Sequence, residues 1–226
     1  MSILSRVGIG SATVAVEGGS SAQEIDGVYF ALETRYRRDE GSSEAVIDRF
    51  QLTDSFTIEA GAERTMNVDI EIPRWTPVTR GRTEVWIETG LDIDWALDPD
   101  DTDYLEIEPT DRLARVFDAV AELGFELKTA EPEAVPSAFA TGDRPFVQEL
   151  DFVPTEGPFR GDLDEIDLLV QPTAEELAIY LEVDPRESIT AELTNDVPER
   201  IDEVVVRTES ADEVAREFRR LLERSL

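Results

Sequence analysis

Acidic oxygens are the commonest chemical resource of this chain, and they crowd most densely near its middle. Asp92, Asp94, Asp98, Asp100, Asp101 and Asp103 lie within a dozen positions and are hard donors of the kind that hold calcium. An EF-hand loop starting at Asp98 needs glycine at its sixth position and glutamate at its twelfth, where this chain has Asp103 and Pro109. The pattern fails, and a structural turn is the preferred reading over a dedicated metal site. Trp75, Trp86 and Trp95 fall in the same stretch and are all the tryptophans there are. Exposed together they would form a stacking platform for sugar. Trp86 and Trp95 are flanked by apolar neighbours, so packing in a core or domain interface is preferred.

Paired carboxylates about 5–10 Å apart are what a glycoside hydrolase needs. With 52 Asp and Glu residues, pairs at any sequence spacing arise freely and point nowhere. A carbohydrate-binding or glycoside-hydrolase-type sandwich using Trp and acids is therefore kept only as the alternative. Neither cysteine nor histidine occurs, which removes thiol nucleophiles, Cys/His zinc sites and His-based relays. Gly18 and Gly19 are followed by neither the lysine nor the helix of a phosphate loop. No catalytic residue, cofactor or resident metal is expected.

The charge balance is extreme: 21 Lys and Arg against 52 Asp and Glu, a net −31. That speaks against binding nucleic acid, which needs a basic face, and against docking on anionic lipid. Lys128 is the single lysine. The acids are spread through hydrophobic alternation rather than gathered in one tail, so the chain reads as folded and adapted to molar salt, as in a haloarchaeal protein. There ~3 Å of Debye screening quiets self-repulsion. Neither a signal-peptide pattern nor an apolar run of the ~20 residues that span a membrane occurs. A cytoplasmic protein is expected.

The elements that must position these residues follow from periodicity. Alternation predicts strands over 25–36, 44–52, 57–58, 64–72 and 83–89, with a short one around Tyr104, Leu105 and Ile107. The residues of 1–19 are small and weakly patterned, with a strand start only at Val14 and Val16. Thr110 can cap a helix over 111–123, whose Leu113, Val116, Phe117, Val120 and Leu123 share a face, and Gly124 stops it. Strands are predicted again over 125–129, 146–153, 159–170, 177–183, 189–193 and 201–206. Ser210 and Glu213 suggest a capping box for a final helix bearing Val214, Phe218, Leu221 and Leu222 on one face. The expected division is 1–109, a connecting helix at 110–124, and 125–226.

The run TPVTRGRTEVWIETGLDIDWALDPDDTDYL, residues 76–105, resembles the sporulation-control family of Spo-zero-M type. The matching positions are Thr76, Pro77, Gly81, Trp86, Thr89, Gly90, Leu91, Asp92, Asp98 and Pro99. Phe146, Gln148, Phe159, Arg160 and Gly161 fit the start of the family's second domain, and Gly18, Gly19, Gln23, Glu24 and Ile25 fit its early strand. The resemblance implies an all-β fold: two tandem arrestin-like, immunoglobulin-like β-sandwiches with a connecting helix and a C-terminal helix. It assigns these positions a structural role. It also implies a non-enzymatic regulatory or scaffolding protein that acts by binding an unknown protein partner or a second copy of itself. A family hairpin is missing between Val14 and Val16. Unguarded strands at 177–183 and 189–193 are the expected docking edges.

Overall fold

The computed structural model describes residues 3–6, 9–92, 100–135, 144–173, 175–185, 200–207 and 210–226. The Asp-rich stretch at 93–99, with Asp94, Trp95, Asp98 and Pro99, and the strand predicted at 189–193 lie outside the described residues. So does most of the proline-containing loop before Arg144.

The strands of the first half are β1 (Ile3–Arg6), β2 (Ile9–Glu17), β3 (Gln23–Ile25), β4 (Gly27–Arg37), β5 (Ser42–Gln51), β6 (Phe56–Ile58), β7 (Glu63–Glu71), β8 (Val85–Asp92) and β9 (Asp100–Glu108). The second half begins with helix α1 (Asp111–Glu122). It continues through β10 (Phe125–Ala134), β11 (Phe146–Pro154), β12 (Leu163–Pro172), β13 (Leu177–Pro185) and β14 (Arg200–Val206), and ends in α2 (Ala211–Ser225). Two compact units result, one of Met1–Thr79 with Thr83–Glu108, the other of Arg80–Arg82 with Pro109–Leu226.

In the first unit, β8 lies between β4 and β9, β1 extends the sheet beyond β9 in parallel, and β5 pairs with β4. The ribbons β2–β7 and β3–β6 complete the unit. Val85 and Ile87 on one face of β8 and Trp86 on the other are all buried, so the central strand is covered on both sides. The weakly patterned opening forms more structure than its composition suggests. Residues 9–17 pair one for one with 63–71 across Val14 and Val16. The chain passes there as a single strand.

The second unit is an antiparallel meander in the order β10-β11-β12-β13-β14. Alternate residues Leu150, Ile166, Leu168, Ile179, Leu181 and Val204 form its core face. Both helices belong to this unit and pack on each other and on its strands. Phe117 of α1 meets Phe152 with ring centroids 5.9 Å apart. Thr110 caps α1 by accepting from the Leu113 amide at 3.3 Å, and Gly124 takes the left-handed φ of 92° that ends it.

Three details differ from expectation. Ser210 is the N-cap of α2, but its side chain makes no capping bond. Phe159, Arg160 and Gly161 form a turn, not the start of a strand. The amides of Asp162 and Leu163 both donate to the Phe159 carbonyl at 3.1 Å, and Gly161 has φ 107°. The strand over 177–183 is no edge: β13 pairs with β12 on one side and β14 on the other. Its apolar residues are the centre of a core, so it offers no partner a free ladder.

Candidate functional site

The stretch that carries the resemblance is held by main-chain hydrogen bonds at each step. Pro73 to Thr76 closes a turn, the Thr76 amide donating to the Pro73 carbonyl at 3.0 Å, and Thr76, Pro77 and Val78 are buried. Thr79 clamps the end of β9: its amide reaches the Ile107 carbonyl at 3.1 Å, and the Ile107 amide reaches its Oγ1 at 2.9 Å. Gly81 then packs against β10. A Cβ on it would stand 2.3 Å from the Ala130 nitrogen, its φ is +59°, and the next amide, of Arg82, donates to the Ala130 carbonyl at 2.8 Å. Only glycine tolerates that combination. Gly90, in contrast, sits in β8 with open space beside it. Thr89 and Leu91 are half-buried neighbours in that strand.

Trp86 does not form a sugar platform. It is buried at 5% exposure, lies opposite Tyr104 and Glu33 in the register, and contacts the Tyr104 ring at a centroid distance of 6.1 Å. Burial, with Glu88 and Glu44 nearby, holds the Glu33 carboxyl above the usual range, against the opposing effects of Arg49 and of the Trp86 side chain. Trp75 is half-buried elsewhere in the turn. Of the acids weighed as a calcium loop, Asp92 and Asp100 fall on strands β8 and β9, and Asp101 and Asp103 share one face of β9.

Phe146 and Gln148 are buried on the core face of β11. Phe159 packs its ring 5.8 Å from Phe125, while Arg160 and Gly161 are exposed at the turn.

Sequence reasoning missed a close carboxylate group among the described residues. On the face of the second unit's sheet opposite its core, Asp151 of β11 lies across from Asp167 of β12, and Asp167 across from Glu182 of β13. Glu165 is two residues before Asp167 on the same face. Oxygens of Asp151, Glu165 and Asp167 approach within 4.8 Å of one another, each side chain half-buried. Lys128 pairs with Glu165. One Asp167 oxygen is buried without a hydrogen-bond partner. Burial first, then the charges of Asp151, Glu165, Glu149 and Glu182, push its carboxyl up to about 8. Such a group can share a proton, and its oxygens are of the type that hold a divalent cation. No local motif announces it, because the acids become neighbours only through the pairing register.

The first unit carries a groove of about 750 Å³ between β5 and β7. Phe50, Leu52, Val68 and Ile70 give it apolar walls; Asp48, Asp69 and Glu71 give it acidic ones.

Residues 8–187 match the family described as SpoOM protein. The chain is 38% identical over 178 residues to the sporulation-control protein spo0M of Bacillus subtilis (strain 168), covering 77% of this chain and 68% of the relative. This chain belongs to the Spo0M family. The crystal structure of Spo0M from Bacillus subtilis superposes with a TM-score of 0.84 at 32% identity, covering 100% of this chain and 95% of that one. The fold is accordingly the all-β, arrestin-like one that the motif implied, with its connecting and C-terminal helices. No helix among the described residues is long and apolar enough to cross a membrane.

Proposed function

We propose that this Spo0M-family chain is a non-enzymatic regulatory or scaffolding protein, sporulation-control-like, that works by binding other proteins. The observation that carries this reading is the set of open strand edges. Among the described residues β7 pairs with β2 alone and β14 with β13 alone. Free edge amides and carbonyls accept an extended segment of another chain, which is how many sandwiches recruit partners. Family membership supports the regulatory role, since the curated relative is a sporulation-control protein.

Chemical cross-linking followed by affinity purification, in dilute and in molar KCl, tests it. A protein recovered in stoichiometric amount and cross-linked to an edge strand is the expected result. Turnover of an oligosaccharide by the purified chain, with no protein recovered at either salt, overturns it.

A further inference from the structure

We infer that the groove between β5 and β7 binds an extended segment of a partner protein in which apolar and basic residues alternate, added as a strand to the free edge of β7. This rests on the protein-binding reading and gives it a place and a partner chemistry.

The groove is bordered by strand edges rather than by one face of a sheet, because consecutive residues 67–71 line it from β7 and 50–52 from the β5 side. β5 pairs with β4, and β7 with β2; among the described residues no ladder joins β5 to β7. The β7 edge spans nine residues with no proline, and its charged residues near the groove, Asp69 and Glu71, are acidic, so they guard it against acidic segments and not against basic ones.

The alternation of β7 fixes what can pair with it. Ile70 and Val68 point to the interior and are buried or half-buried; Asn67, Asp69 and Glu71 are exposed on the other face. Asn67 and Asp69 each accept a hydroxyl bond from β2, from Thr13 at 2.9 Å and Ser11 at 2.6 Å. Among the described residues no cation pairs with Asp48 or Asp69: Asp69 accepts that hydroxyl, and Asp48 accepts the Arg49 amide at 2.8 Å. Among the described residues neither Lys nor Arg lines the groove. A strand laid beside β7 places alternate side chains against Val68 and Ile70 and the others against Asp69 and Glu71. Apolar residues suit the first set and lysine or arginine the second. Asp48, across the groove, adds negative potential and disfavours an acidic segment or a second copy of β7 itself.

The probe is a synthetic peptide of about ten residues alternating lysine and valine, labelled for fluorescence anisotropy. It is used in the lowest KCl at which the whole protein is folded by circular dichroism. A peptide of the same composition with its lysines in one block controls for attraction to the net charge. The variant Asp69→Asn with Glu71→Gln is compared with Glu122→Gln plus Glu126→Gln, an equal charge change at exposed positions of the second unit. The expected result is binding of the alternating peptide weakened about tenfold in the β7 variant only, with hydrogen-exchange protection of amides 67–71 on binding. Equal affinity for both peptides, or equal weakening in both variants, overturns the inference. So does a cross-linked protein partner retained undiminished by the β7 variant, although that outcome leaves the protein-binding reading standing.

Discussion

Asp151 and Asp167 stand directly opposite each other on antiparallel strands β11 and β12. Like charges so placed repel, and Glu182 continues the row on β13. Hydrogen bonds do not relieve the strain at Asp167, one of whose oxygens is buried and unpartnered. The folded chain answers by holding a proton there, with the carboxyl raised to about 8. An unfolded aspartate releases its proton near pH ~3.9.

Stability must therefore depend on pH through this group. The folded state binds the extra proton between ~3.9 and about 8, so this contribution is fully present below that window and is lost as pH rises through it. Asp167→Asn, which keeps the shape and removes the charge, is expected to raise Tm at pH 8 by several degrees, roughly what 1–2 kcal/mol gives a chain of this size. At pH 4 the two proteins should melt close together. Thermal scans across that range check it, and a variant less stable than the parent at pH 8 would refute the repulsion.

Much of the local structure was legible, and what was not depended on distant partners. Alternation located β4, β5, β7 and β8, and Thr110 and Gly124 marked the two ends of α1, because those signals are carried by neighbouring residues. The opening strand β2, with Gly10, Ser11 and Ala12, has weak intrinsic preference for a strand, and it is the pairing with β7 that holds it there. β13 reads like an unguarded edge until β14, which begins fifteen residues after β13 ends, covers its far side. The acidic row at Asp151, Asp167 and Glu182 needs the register of three strands. The strand expected from Phe159 begins only at Leu163, because Gly161, at φ 107°, turns the chain first.

Gly81 and Gly90 belong to the same signature yet should respond differently to alanine. At Gly81 the new Cβ meets the Ala130 main chain at 2.3 Å in a left-handed conformation, so Gly81→Ala is expected to cost at least ~2 kcal/mol. Gly90→Ala meets nothing within 4 Å and should change stability by no more than ~0.5–1 kcal/mol, in the stabilising direction. Urea unfolding of both variants decides. Equal effects would mean that the close approach to Ala130 is not what holds the Arg80–Arg82 segment in place.

The two helix starts offer a similar contrast. Thr110 makes its capping bond and Ser210 does not, so Thr110→Ala should cost ~1 kcal/mol and Ser210→Ala little. Chemical denaturation again reads both. A larger loss at Ser210 would show that its hydroxyl serves a different contact.

The last expectation concerns salt. An excess of 31 negative charges on two compact units raises the free energy of the folded state through self-repulsion. Local pairing relieves part of it: Arg35 reaches Glu44 at 3.2 Å and Glu84 at 3.5 Å, and Arg207 reaches Glu176 at 2.7 Å. Those arginines are half-exposed or more, where ion pairs contribute at most ~1 kcal/mol each, and 21 basic residues cannot neutralise 52 acids. Screening must supply the rest. The Debye length falls from ~10 Å at 0.1 M to ~3 Å at 1 M. Molar salt thus removes the repulsion while leaving contact pairs largely intact. Tm is expected to climb steadily from dilute buffer to molar KCl, and sodium and potassium chloride should act alike if screening is the cause. A flat or falling curve would mean that the acids are balanced locally and would remove the physical basis for reading this composition as an adaptation to salt.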